Sequence, residues 1–238
     1  ICDTTRLNIL YELSVVTKYQ PLVRVYYLDQ LIKEADKQKN DFFKCQVYLN
    51  RIFMAYNSLD APALHYWFSL LEPLTRKNNY YDLQFQGKRC VIDFFQLSGE
   101  YEKEERESKL LLYEAEKAGS VIGMVVAIQS LGNAYIVTYR DEEALAAYEK
   151  AYALSCKIGN PALTLEIIHS VTEVVQKIKD YPKWLKYIKL EEGCINESIR
   201  HSKVNFSLPS CILMMYIHYM AYYTTVGDID MAKYYYQL

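Results

Sequence analysis

Leu131-Gly132-Asn133-Ala134-Tyr135, followed by Asp141-Glu142-Glu143-Ala144-Leu145-Ala146-Ala147-Tyr148-Glu149-Lys150-Ala151 and closed by Gly159-Asn160-Pro161, decides how the rest of the chain is read. Leu131 and Tyr135 stand four residues apart, on one face of a helix. Ala144, Tyr148 and Ala151 follow at steps of four and three, which makes a stripe on a second helix. Gly132 allows the two helices a close approach, with Ala144 or Ala151 as its expected contact. The small alanines admit a neighbour, and Tyr148 fills the gap. Gly159-Asn160-Pro161 supplies a helix stop, a cap and a first-turn proline in succession.

The same punctuation recurs outward from this stretch. Asn40, Asn79, Gly119 and Asn160 mark unit ends at steps of 39, 40 and 41, and Asp60, Gly99 and Tyr139 mark turns within units. A constant step near 40 means one helix pair repeated. Helix boundaries are predicted near 20, 40, 60, 79, 99, 119, 140, 160 and 181, with apolar residues at helical spacing between them. The rhythm breaks once. Lys183 fills the slot of Ala144, but the next matching slot is Ala232, so about ten residues are inserted within 191–210. The reading extends the preceding helix to about Ser202, folds Phe206 and Leu208 back onto the repeat, and opens the next helix at Pro209.

Composition limits the alternatives. Hydrophobic residues make up 51% of 238, enough for a substantial core, and 8 Gly and 6 Pro are too few for a loop-rich all-β protein. A net charge of −2 gives no reason to expect nucleic-acid binding by this segment. No apolar run reaches the length of a membrane span, and no signal peptide is visible. The chain starts at Ile1 without Met and stops in helical pattern at Leu238, so we expect a single repeat domain, 1–238, cut from a longer protein. That leaves the compartment open between the cytoplasm and an extracytoplasmic, soluble segment of a membrane-anchored protein, and leaves self-association open. The 24 tyrosines read as packing residues whose hydroxyls reach the surface. The six cysteines form no C-x-x-C pair, which argues against a zinc site and leaves disulfides open.

The Leu-Gly-x-x-Tyr and Ala, Tyr, Ala pattern resembles a tetratricopeptide (TPR) repeat. Ile128 stands where such repeats usually carry Trp, and the unit runs near 40 residues rather than about 34. The likeness implies an all-α fold, a right-handed α-α superhelix of about six helix pairs, the last incomplete. Long, degenerate units of this kind are similar to the sensor and interaction regions of bacterial signalling regulators, so the implied function is a non-catalytic scaffold for a protein or peptide. A small-molecule receptor with an aromatic pocket and a structural assembly spacer are the alternatives.

In TPR-like folds the first helix of each pair lines a groove. Aligned by 39 to 40 residues, one row reads Asn50, Arg89, Gln129, Ile168; a second Met54, Asp93, Asn133, Thr172; a third Asn57, Gln96, Ile136, Val175. The candidate groove residues are Asn50, Met54, Asn57, Arg89, Asp93, Gln96, Gln129, Asn133 and Thr172. A carboxamide both donates and accepts, as the backbone of an extended peptide requires. Arg89 could take a carboxylate or pair with Asp93 one turn on. Some TPR proteins clamp a terminal carboxylate with Lys and Asn; Asn133 matches that Asn, but Gln129 stands where the Lys would be, which argues against that clamp.

Catalysis finds no support. The sequence lacks a phosphate-cradling glycine loop, G-x-S-x-G and H-E-x-x-H. His65, His169, His201 and His218 are scattered, with no His or carboxylate partner at ligand spacing, and read as structural or surface residues. No metal or cofactor is expected.

Overall fold

The computed structural model describes residues 4–200 and 208–238. Among them are twelve α-helices and no strand: α1 Thr5–Val16, α2 Pro21–Lys37, α3 Asp41–Asn57, α4 Ala61–Asn78, α5 Tyr81–Leu97, α6 Tyr101–Ala118, α7 Val121–Val137, α8 Asp141–Ile158, α9 Pro161–Lys177, α10 Tyr181–Arg200, α11 Leu208–Val226 and α12 Ile229–Gln237. From α2 to α10 the helix starts advance by twenty residues each time. The first helices α3, α5, α7 and α9 have 17 residues and a three-residue connection after them. The second helices α4, α6 and α8 have 18 and a two-residue connection.

This regularity comes from how each helix stops. Lys39, Leu59, Asn79, Gly99, Gly119, Tyr139, Gly159 and Lys179 all have positive φ, between 53° and 75°. A left-handed residue turns the next N–H back toward the carbonyls left open at the helix end. Asn40, Asp60, Tyr80, Glu100, Ser120, Arg140 and Asp180 accordingly donate their N–H to the carbonyl five residues earlier, at 2.8 to 3.0 Å. The same residue then opens the following helix. Side-chain oxygens of Asn40, Asp60, Ser120, Asn160 and Asp180 accept from backbone N–H groups in the new first turn. One stop and one start therefore occupy two adjacent residues, within one residue of every boundary predicted from 20 to 181.

The break in rhythm is smaller than expected. Asp180 and Asp228 cap equivalent helices and lie 48 residues apart, eight more than the regular step of forty. The described part of α10 ends at Arg200, and Pro209 sits in the first turn of α11 as anticipated. The expected extension through Ser202 and the fold-back of Phe206 and the Leu208 side chain lie outside the described residues.

Contacts sort the chain into two compact units: residues 1–100 with 110–123, and 101–109 with 124–238. In the first, Leu7, Leu28, Leu31, Ala35, Phe43 and Val47 form one core, and Cys45, Leu49, Ile52, Leu64 and Leu71 lead another. In the second, the Ala144, Tyr148 and Ala151 stripe is buried as read, together with Ile167, Ile168 and Val171.

The left-handed stops generate a test. Leucine in that region is strained by about 1–2 kcal/mol. Leu59 is 64% exposed, so removing its side chain sacrifices little packing. Leu59→Gly should stabilise the protein by about 0.5–1 kcal/mol after the extra unfolded-state entropy of glycine, raising Tm by about 1–3 °C. Gly119→Ala should lower stability by about 1–2 kcal/mol through the backbone alone, because nothing lies within 4 Å of where its Cβ would be. Unchanged melting in both would refute the strain argument.

Candidate functional site

The residues that opened the sequence reading meet on α7 and α8 of the second unit. A Cβ on Gly132 would lie 2.5 to 2.8 Å from three ring atoms of Tyr148. The glycine thus makes room for the Tyr148 ring, not for Ala144 or Ala151 as expected. The same buried tyrosine donates its hydroxyl to Asn133 Oδ1 at 2.6 Å. That bond fixes the carboxamide with its oxygen engaged, and no described residue takes its two N–H groups. One turn earlier on α7, Gln129 donates from Nε2 to Glu166 Oε1 of α9 at 3.0 Å. Its own Oε1 is sealed from solvent with no donor among the described residues.

The first unit presents its expected residues differently. Asn50 is buried, with Oδ1 accepting from Arg24 of α2 at 2.5 Å and Nδ2 donating to the Gln46 carbonyl at 2.9 Å. Arg89 Nε donates to Asp93 Oδ2 at 3.0 Å, so the local pairing is the one adopted. Met54 packs half-buried against the core around Leu28 and Leu31. Asn57 is exposed and Gln96 half-buried.

The observed step of forty also shifts the rows. Counted that way, Arg89 and Gln129 lead to His169 rather than Ile168, and Asp93 and Asn133 lead to Glu173 rather than Thr172. Gln96 leads to Gln176 rather than Val175. Glu173 and Gln176 are exposed. Thr172 falls in the slot of Ile52, Ile92 and Gly132; it has no exposed surface and donates its hydroxyl to its own helix at the Ile168 carbonyl, 2.8 Å away. In the other direction the rows reach Leu49, Phe53 and Tyr56, each one residue before Asn50, Met54 and Asn57.

Sequence reasoning missed a second polar constellation in this unit. His169 and His218 both touch the carboxylate of Glu191, although no local spacing connects them. The available signal was the register: Glu191 stands forty residues after Ala151, in a slot held earlier by Leu31, Leu71 and Leu111. Burial alone would push the Glu191 carboxyl up, but His169 and His218 outweigh it and hold the group below the usual carboxylate range. Among the described residues, no group of His, Cys, Asp or Glu is arranged to hold a metal ion. No helix among them is long and apolar enough to cross a membrane. A cavity of about 610 Å³ opens on α8, α9 and α10, lined among others by Tyr152, Cys156, Thr164, Ile168, Lys189 and Cys194.

Repeated helix pairs joined in this way define an all-α helical repeat of the α-α superhelix class. Among solved structures the chain is similar to the one described as the crystal structure of the apo form of RapI, with a TM-score of 0.57 and 11% identity over 97% of this chain and 95% of that one. At that identity the likeness concerns the fold alone. No family model matches the chain, and no curated protein matches its sequence.

The Gly132–Tyr148–Asn133 arrangement is open to direct test. Gly132→Ala forces the Tyr148 ring to shift and should cost about 1–3 kcal/mol by overpacking. Thermal unfolding of Gly132→Ala measures that cost, and a melting temperature equal to wild type would contradict the close approach.

Proposed function

We propose that the chain is a non-catalytic scaffold that binds a protein or peptide, serving as the input or interaction region of a bacterial signal-transduction or transcription-regulatory protein. The observation that carries this reading is Asn133. Its oxygen is held from behind by Tyr148, and its N–H groups are left to donate to a carbonyl from outside. A fixed carboxamide of this kind suits an extended backbone, because little side-chain entropy remains to be lost on binding. Gln129, oriented by Glu166 one turn earlier, adds a second amide on the same helix. In the other unit, taken by itself, Asn57, Gln96 and the Arg89–Asp93 pair are proposed to form a polar face of their own on first helices. Buried Asn50, and Met54 packed on the core, are proposed to support that face from within the first unit, and buried Thr172 the amides of the second. The similarity to RapI, a helical-repeat protein, supports the scaffold part of the proposal.

Equilibrium capture of a degenerate library of short, fluorescently labelled peptides tests it. The wild-type chain should enrich a subset of sequences. Asn133→Ala should weaken the enriched peptides about 5- to 30-fold, the loss of one or two hydrogen bonds, without changing helical content. Tyr148→Phe should weaken them less, since it only frees the amide to rotate. Enrichment unchanged by Asn133→Ala would remove this residue from the site, and no enrichment at all would leave the scaffold reading without its ligand class.

The alternative of a small-molecule receptor draws on the cavity at α8, α9 and α10, whose volume of about 610 Å³ lies in the range of ligand sites. Tyr152 is the one aromatic residue among the described lining residues, which show no aromatic walls of the kind this alternative anticipates.

A further inference from the structure

The forty-residue register places one residue of every second helix deep in the packing. Leu31, Leu71, Leu111 and Ala151 hold that slot with no exposed surface, and the next holder is Glu191 of α10, equally sealed. A carboxylate persists in such a place only when partners from the surrounding structure compensate it. Two other helices supply them. Glu191 Oε1 touches His169 Nε2 of α9, and Glu191 Oε2 lies 2.9 Å from His218 Nδ1 of α11. The two imidazole rings meet edge to face, with centroids 5.4 Å apart. His218 is itself buried. One carboxylate therefore joins three helices that are consecutive in sequence.

The His218 contact is a hydrogen bond, with a hydrogen on Nδ1 and an acceptor at the carboxylate, whereas His169 Nε2 and Glu191 Oε1 approach as an ion pair and neither has a hydrogen-bond partner among the described residues. A proton on Glu191 turns one acceptor into a donor that faces another donor. It also removes the negative charge that lies between the two imidazole rings. We propose that Glu191, His169 and His218 form a proton-sensitive latch that fastens α11 onto α9 and α10, closed while Glu191 is ionised and released when it is protonated.

Beside the latch, Tyr219 of α11 donates its hydroxyl to Glu192 Oε2 of α10 at 2.7 Å, a second bond between these helices. His169 from α9 and His218 from α11 act directly on Glu191. On its own helix Cys194 is within electrostatic reach, and Cys194 in turn feels Glu197 of α10, Cys156 of α8 and Cys211 of α11. Burial pushes the Cys194 thiol up to about 11, so it stays neutral in acid. The direction of response follows from Glu191. A carboxyl depressed in the folded state contributes stability above its unfolded value and loses it as pH falls through the folded one. The latch therefore stays closed at neutral pH and opens in acid, below the ordinary carboxyl value of 4.5.

Hydrogen exchange on the intact chain, corrected for intrinsic rates and followed from about pH 7 to about pH 3.5, reads the opening directly. Amides of α11 should lose protection about tenfold or more while those of α3 and α5 keep theirs. Loss of protection in α11 in step with α3 and α5, or no loss at all, overturns the proposal. Trp184 gives a second readout, because it is buried on α10 and edge-on to Tyr222 of α11, with ring centroids 5.4 Å apart. In a Trp67→Phe background its emission should move to the red over the same interval. Glu191→Leu, which restores the residue of three earlier units, should abolish that transition. Glu191→Gln, which keeps the shape without a titrating proton, mimics the protonated group and should show the released emission already at neutral pH, with no transition over the interval. The wild-type midpoint and amplitude in either variant, with helical content intact, would also overturn it. Should neither variant fold at neutral pH, the exchange pattern of the wild type decides alone.

Discussion

The hydrogen bond that runs from Asn40, Asp60, Tyr80, Glu100, Ser120, Arg140 and Asp180 back across five residues sets the length of the helix before it and the direction of the next. It fixes a step of twenty residues from α2 to α10, so residues forty apart face equivalent surroundings. The cost is considerable. Lys39, Leu59, Asn79, Tyr139 and Lys179 adopt a backbone region that glycine would occupy without strain. What offsets it is local: a satisfied carbonyl at the end of one helix and, where the next residue is Asn, Asp or Ser, a satisfied N–H at the start of the following one. Because both groups lie in two adjacent residues, an insertion in either would shift every later residue of the repeat.

The reading of the sequence followed this punctuation closely where the residues advertise it. Asn40, Asp60, Asn79, Gly99, Gly119 and Asn160 are types that cap or stop helices for known reasons, and boundaries drawn from them fell within a residue of the structure. Leu59 and Lys179 carry no such signature; their left-handed conformation is imposed by neighbours. The candidate groove suffered from a finer error. Rows counted at 39 to 40 residues slipped by one position at each end of the series, and one position on a helix is a rotation of about 100°. That slip turns Thr172 from a groove position into the slot of Ile52 and Ile92, and it replaces Glu173.

The histidines show a different kind of blindness. Spacing rules find ligands that share one helix or one loop. His169, Glu191 and His218 come from α9, α10 and α11, and no fixed interval links them. Yet the register already contained the anomaly, since a charged residue stands where Leu31, Leu71 and Leu111 establish an apolar slot. In a repeat, comparison of equivalent positions within one chain reveals what local motifs miss.

That comparison also separates the character of the two units. Where the first places Ile52, Ile92 and Leu71, the second places Gly132, Thr172 and Glu191. Each replacement removes apolar volume and introduces a directional requirement. Gly132 must face the Tyr148 ring, Thr172 must bond its own helix, and Glu191 must hold two imidazoles. Aliphatic packing tolerates small adjustments at little cost, whereas a buried polar group is satisfied in few arrangements and penalised in all others. At these slots the second unit thus has sharper preferences between arrangements. Those are the properties of an element that passes between discrete states when a proton or a ligand changes one contact. The fixed amide of Asn133 and the buried carboxylate of Glu191 both lie in that unit.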